Sequence, residues 1–133
     1  MLSSFQFHHI GIATDSIAKT SSYYLKMGYV MSDIMYDPVQ DVNISFLKKE
    51  GMPVIELLEP HSSISPVSKT LEKLGVTPYH VCYSVPDIDV ALFELRREKF
   101  LPLFNPVQAV ALSNKKICFL FNKDFGLIEL VEE

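Results

Sequence analysis

Cysteine is scarce in this 133-residue chain: Cys82 and Cys118 stand alone, with no CxxC spacing. That leaves no thiolate metal knuckle and no disulfide framework, and a chain with 48% hydrophobic residues needs no cross-link to build a core. Both read as buried thiols. An excess of basic residues is missing as well. The net charge of -4 gives no cationic stripe, which excludes nucleic acid as a partner. Long apolar runs are absent: none approaches the roughly 18 to 20 residues that cross a bilayer. The opening Met1-Leu2-Ser3-Ser4-Phe5-Gln6-Phe7-His8 has neither the basic nor the apolar region of a secretory leader. The expectation is a cytoplasmic globular protein with no membrane partner, one domain by its length.

What is present is punctuation at regular intervals. Residues 5–13 are rich in β-formers and lead to Asp15-Ser16, a cap for a helix with Ile17, Ser21, Tyr24 and Leu25 at helical spacing and a stop at Gly28. Residues 29–36, 42–48 and 54–59 then read as short strands separated by Asp37-Pro38 and Lys49-Glu50-Gly51. After a polar stretch, Ser65-Pro66 caps a short helix that ends at Gly75. The pattern then begins again. A strand over 79–85 precedes a helix from Asp87 with Ile88, Ala91, Leu92 and Leu95 on one face, and strands follow near 101–104, 107–112, 116–121 and 127–131.

The chain is thus a tandem repeat of a βαβββ unit: module 1 over about 5–60, a connector over 61–78, and module 2 over about 79–133. Local sequence repeats support this. Phe7-His8-His9-Ile10 returns as Pro78-Tyr79-His80-Val81, Asp37-Pro38-Val39-Gln40 as Asn105-Pro106-Val107-Gln108, and Ile55-Glu56-Leu57-Leu58-Glu59 as Ile128-Glu129-Leu130-Val131-Glu132. Three motifs recur in one order at offsets of 71, 68 and 73 residues.

Each Ile-Glu-Leu strand places a carboxylate inside an apolar run, which costs free energy unless something pairs with it. Strand alternation supplies candidates. His9 shares a face with Phe7, Gly11 and Ala13, and His80 with Cys82 and Ser84, while the bulky apolar residues oppose them. In the last strands Ile55 and Leu57, and Ile128 and Leu130, take the helix-covered side, so Glu56 and Glu129 face the way the histidines do. If the first and last strands of each module are neighbours, His9, Glu56, His80 and Glu129 converge. Two imidazoles and two carboxylates without a thiolate suit a divalent ion in an N/O site. Other polar residues have plainer readings. His8 has the opposite parity, Gln40 and Asp41 fit a turn after Pro38, Glu59 and Glu132 read as solvated strand ends, and Cys82 as a small buried filler. Phe104, Phe119 and Phe121 read as core, with the capacity to wall a pocket.

With these residues in place, the chain resembles the vicinal-oxygen-chelate (glyoxalase/bleomycin resistance) superfamily over its whole length. His9-Ile10-Gly11-Ile12-Ala13, Ile55-Glu56-Leu57-Leu58-Glu59-Pro60, Ser65-Pro66-Val67-Ser68-Lys69, His80-Val81 and Gly126-Leu127-Ile128-Glu129-Leu130 look like bacterial glyoxalase I-like proteins and methylmalonyl-CoA epimerases. The resemblance implies an α+β fold of two tandem βαβββ modules forming a curved sheet cleft, with His9, Glu56, His80 and Glu129 as metal ligands. It implies a divalent metal, nickel or cobalt favoured and zinc, manganese or iron compatible, and a homodimer. Glutamate at position 56 matches bacterial glyoxalase I, where several epimerases have glutamine; the Glu59-to-Pro66 connector is epimerase-like. Tyr79-His80 stands where epimerases often show His-His, and a second catalytic glutamate of some epimerases aligns near Ile44 or Ser45.

The expected activity is that of a metal-dependent glyoxalase I-like lyase or isomerase, of the lactoylglutathione lyase type, moving a proton next to a carbonyl through a metal-bound enediolate. The alternative is a methylmalonyl-CoA epimerase. The substrate is accordingly a small carbonyl compound, a hemithioacetal or a CoA thioester. Glu129 is the expected base and Glu56 its partner returning the proton. Further alternatives are an iron dioxygenase using two histidines and one carboxylate, and a metal-free drug-binding resistance protein of the same fold.

Overall fold

The computed structural model describes residues 2–133, which form two compact units: residues 9–79, and residues 2–8 together with 80–133. Strand β1 (Gln6–Ala13) enters the first of these and is followed by α1 (Ile17–Lys26), β2 (Val30–Met31), β3 (Met35–Asp37), β4 (Val42–Lys48) and β5 (Ile55–Pro60). The sheet runs β2-β4-β5-β1, with β3 also paired to β4. The closing pair is parallel, placing Gly11 opposite Glu56 and Ile12 opposite Leu57. The stretch 29–36, expected as one strand, is two short ones. Between them Ser32 turns inward, its hydroxyl accepting from Phe46 N at 2.8 Å.

Helix α1 forms where Ser16 accepts from Lys19 N and the pattern buries Ile17 and Ser21. It packs through Ile17 on Leu47 and Leu57, with Ile12, Tyr24, Tyr29, Met31 and Ile55 around them. Gly28, at φ +93°, lets the chain leave the helix in a backbone conformation that a side chain would disfavour. Helix α2 (Pro66–Leu74) is capped by Ser65 with proline in the first turn, as expected. It packs against β5, so the expected connector is part of the first unit.

The second unit repeats the plan: β6 (Thr77–Val85), α3 (Ile88–Arg97), β7 (Leu101–Pro102), β8 (Val107–Ala109), β9 (Lys115–Asn122) and β10 (Gly126–Glu132). Its sheet order is β6-β10-β9-β7, and β6 and β10 are parallel, with Cys82 opposite Glu129. Ile88, Ala91, Leu92 and Leu95 of α3 bury against Val85, Phe100, Cys118, Leu120, Ile128 and Leu130, the one-sided face the helical spacing predicts. Each fully buried Leu or Ile contributes about 1.5–3 kcal/mol over its exposed state. The strand expected over 107–112 stops at Ala109 and continues as a 3-10 turn, because Ser113 and Asn114 both take left-handed backbone angles and reverse the chain. Both cysteines are buried, and burial pushes the Cys118 thiol up to about 11. No helix among the described residues is long and apolar enough to cross a membrane.

The reading of Glu59 and Glu132 as solvated strand ends is corrected. The Glu59 carboxylate accepts from Ile17 N at 2.7 Å, and the Glu132 carboxylate accepts from Ile88 N at 2.9 Å. Each last strand therefore caps the helix of its own unit, giving the otherwise orphaned first-turn N–H a charged acceptor at the positive end of the helix. Replacing Glu59 or Glu132 by Ala should cost about 0.5–2 kcal/mol each in urea unfolding. Unchanged midpoints would show that Ser16 and Asp87 carry the capping alone.

Candidate active site

In each unit a histidine and a glutamate meet across the parallel strand pair. His9 Nε2 lies 3.3 Å from Glu56 Oε1, and His80 Nε2 lies 3.2 Å from Glu129 Oε1. All four residues are buried: His9 is 0% exposed, Glu56 and Glu129 3%, His80 4%. Register explains the meeting. Directly paired residues on neighbouring strands point to one face, and Gly11 opposite Glu56, two residues beyond His9, leaves space over the imidazole. In the second unit Cys82 fills the corresponding place opposite Glu129.

An aromatic ring closes each pair from the antiparallel side. Phe46 is the register partner of Glu56 and packs edge-on to His9, with centroids 5.5 Å apart at 78°. Phe119 is the partner of Glu129 and packs edge-on to His80 at 5.1 Å and 90°. Phe119 belongs to the aromatics that sequence reasoning singled out; Phe46 was missed. The signal was available, since Ile44-Ser45-Phe46-Leu47 and Ile117-Cys118-Phe119-Leu120 repeat an Ile-x-Phe-Leu pattern. The equivalence extends to the residues between. Ser45 Oγ donates to Ser32 O at 3.0 Å, and Cys118 Sγ donates to Phe104 O at 3.0 Å.

The remaining candidates fall where their plainer readings put them. Gln40 donates to Asp37 at 3.1 Å, and Asp37 also accepts from Val39 N at 2.8 Å, a turn closed on itself. Asp41 sits at φ 53° and accepts from Tyr36 Oη at 2.9 Å and from Ser62 Oγ. The Ser62 hydroxyl in particular holds its carboxyl below the ordinary range. Phe104 packs on Phe119 at 6.1 Å, whereas Phe121 is 45% exposed. Ile44 shares the face of Glu56 and Leu58, Ser45 the opposite face with Leu57, and both are buried, so neither of the positions near which some epimerases carry a second acid holds a carboxylate here.

The chain matches the family described as the glyoxalase/bleomycin resistance protein/dioxygenase superfamily over residues 8–119. It belongs to that superfamily. Within it, the chain is 31% identical to a mitochondrial methylmalonyl-CoA epimerase of Mus musculus, over 92% of this chain and 70% of that protein. Its structure is similar to the methylmalonyl-CoA epimerase of Mycobacterium tuberculosis, with a TM-score of 0.85, 26% identity, and 96% and 87% of the two chains covered. A Streptomyces coelicolor methylmalonyl-CoA epimerase solved with 2-nitronate-propionyl-CoA matches at a TM-score of 0.83 and 26% identity, covering 96% of both chains. The fold is the α+β arrangement that the repeats predicted, and the protein is an enzyme with isomerases as its relatives. These superfamily members favour the epimerase alternative over the glyoxalase I-like reading placed first from the sequence.

The donor set suits a divalent ion. Imidazole nitrogen and carboxylate oxygen face each other within each pair, and both are buried. Each pair is also a coupled unit in the protein as it stands. A double-mutant cycle of His80→Ala and Glu129→Gln, read by urea unfolding of chelator-treated protein, should give a coupling of about 1–3 kcal/mol, because either single change strips a buried group of its partner. Strict additivity would show that the two side chains are neighbours without interaction.

Proposed function

We propose that this enzyme is a metal-dependent epimerase of CoA thioesters of the methylmalonyl kind. The observation that supports it most directly is likeness over nearly the whole chain to epimerases of that name, one of them solved with a CoA ligand. In each unit one histidine and one glutamate, His9 with Glu56 and His80 with Glu129, would serve as ligands of a divalent ion. When bound, the metal supplies positive charge to the thioester carbonyl and lowers the cost of the negative charge that develops there.

The residues of this chain then have separate tasks. A proton on carbon between two carbonyl groups is acidic enough for a buried carboxylate to take when the developing charge is stabilised. Glu129 is the base that takes it, and Glu56 is the partner that returns it to the opposite side of the carbon. Ile44 and Phe46 leave Glu56 as the acid on its part of the sheet face, since Asp37, the other carboxylate there, is committed to its turn. Phe46 and Phe119 exclude water from the imidazoles and hold their planes. A glyoxalase I-like lyase acting on a hemithioacetal is the second reading, favoured by glutamate at position 56.

The test is solvent deuterium incorporation into methylmalonyl-CoA against turnover of a methylglyoxal hemithioacetal, with nickel- or cobalt-loaded protein. Exchange with the CoA ester alone supports the epimerase; turnover of the hemithioacetal alone transfers the assignment to the lyase. Glu129→Gln should lower exchange by at least 1000-fold while the fold persists, a scale consistent with loss of a general base. Chelation should abolish exchange and added divalent metal restore it. Exchange unaffected by chelation would remove the metal from the proposal.

A further inference from the structure

The two units close the C-terminal ends of α1 and α3 differently, and the difference leaves a cavity in the second. Strand register fixes the correspondence: Val30 pairs with Lys48 as Leu101 pairs with Phe121, so Tyr29 matches Phe100 and Lys49 matches Asn122. The backbone agrees. Tyr29 N donates to Tyr24 O at 3.0 Å, and Phe100 N donates to Leu95 O at 3.0 Å. Beside these bonds Lys49 Nζ donates to Met27 O at 2.7 Å, and Asn122 Nδ2 donates to the matching carbonyl, Glu98 O, at 3.4 Å.

In the first unit the lysine completes this end. Its ammonium stands at the negative end of α1 and 5.9 Å from the centre of the Tyr29 ring, while Tyr24 packs edge-on to Tyr29 at 5.4 Å and 86°. In the second unit Leu95 takes the place of Tyr24 and the short, neutral Asn122 that of Lys49, beside a cavity of about 530 Å³. Phe100 and Phe125, 5.4 Å apart, stand on one side of it, and Phe5 and Tyr83, 6.4 Å apart, on another. Its charged lining is of one sign. Glu98 stands where the first unit has Met27, and Asp124 where it has Gly51, and both line the cavity. Lys99 and Lys123, their neighbours in sequence, do not line it. Among the described residues neither carboxylate has an ion-pair partner, and Arg97, which shares an adjoining hollow with Glu98, is held over the Phe93 ring at 6.0 Å. The last carbonyls of α3 add partial negative charge at the same place.

The geometry points to a binding site for a small organic cation, a primary ammonium on an alkyl or arylalkyl arm, with its charge toward Glu98 and Asp124 at the end of α3 and its body against Phe100 and Phe125. The sister unit supplies the precedent for the ligand class. There an ammonium on an alkyl arm, that of Lys49, already lies over the matching ring. Tyr83 and Ile128, in the lining, have the strand parity opposite to His80 and Glu129, so the site is separate from the candidate active site and stands independently of the proposed function.

The test is calorimetric titration of the full chain with 2-phenylethylammonium, its neutral counterpart 2-phenylethanol and the 3-phenylpropionate anion. The ammonium should bind saturably, the alcohol about tenfold more weakly and the anion not measurably, and ammonium affinity should fall as salt rises. Glu98→Gln and Asp124→Asn should each weaken ammonium binding about three- to tenfold and leave the alcohol unchanged. Asp89→Asn, at the other end of α3, should change neither. Asn122→Lys, which gives the second unit the ammonium of the first, should abolish ammonium binding; where circular dichroism shows that variant unfolded, the two carboxylate variants decide. Equal affinity for the ammonium and the alcohol, insensitivity to both carboxylate changes, or no saturable binding up to about 50 mM overturns the proposal. So does a dimer in sedimentation that Phe125→Ala dissociates, which would make the cavity an interface between two copies of the chain.

Discussion

A carboxylate inside an apolar sheet is tolerable only where a partner meets it, and this constraint shapes both halves of the chain. Glu56 and Glu129 are each 3% exposed. Each is met by an imidazole nitrogen from the neighbouring parallel strand at close to 3 Å. The parallel pairing of first and last strands is what makes the meeting possible, and a βαβββ unit reaches it because the helix and the antiparallel strands bring the chain back to its starting edge. The small residues at Gly11 and Cys82 and the rings at Phe46 and Phe119 follow from the same demand, since the pair needs both space and a dry surrounding.

Two carboxylates per unit stand on the last strand, and opposite sheet faces give them opposite work. Glu56 and Glu129 face the histidines. Glu59 and Glu132, three residues on, face the helices and accept from Ile17 N and Ile88 N. Strand β5 or β10 therefore links the helix N-terminus to the candidate catalytic glutamate through a few residues of hydrogen-bonded backbone.

Much of this was legible in the residues. Alternation along residues 5–13, 54–59, 79–85 and 127–131 separated the His/Glu face from the helix-covered face, and the recurrence of Ile-Glu-Leu gave the duplication. Helix ends were legible because Ser16, Ser65 and Asp87 cap locally. Less was legible where the outcome depended on distant partners. Glu59 looked like a solvated end because its acceptor role lies 42 residues away in the chain, and Glu132 likewise across 44. Phe46 was missed because an aromatic in a strand carries no mark of what it touches. The connector passed as a separate bridge because no local pattern states that α2 packs back on β5.

The sequence by itself determined the repeat, the strand and helix types and the residues able to act as ligands, because these depend on side-chain chemistry and on periods of two and 3.6 residues that any short window displays. Only the tertiary structure decided that Glu59 and Glu132 cap helices, and which phenylalanine closes over a histidine. Those choices depend on register between strands far apart in the chain, where a shift of one residue would exchange the two faces.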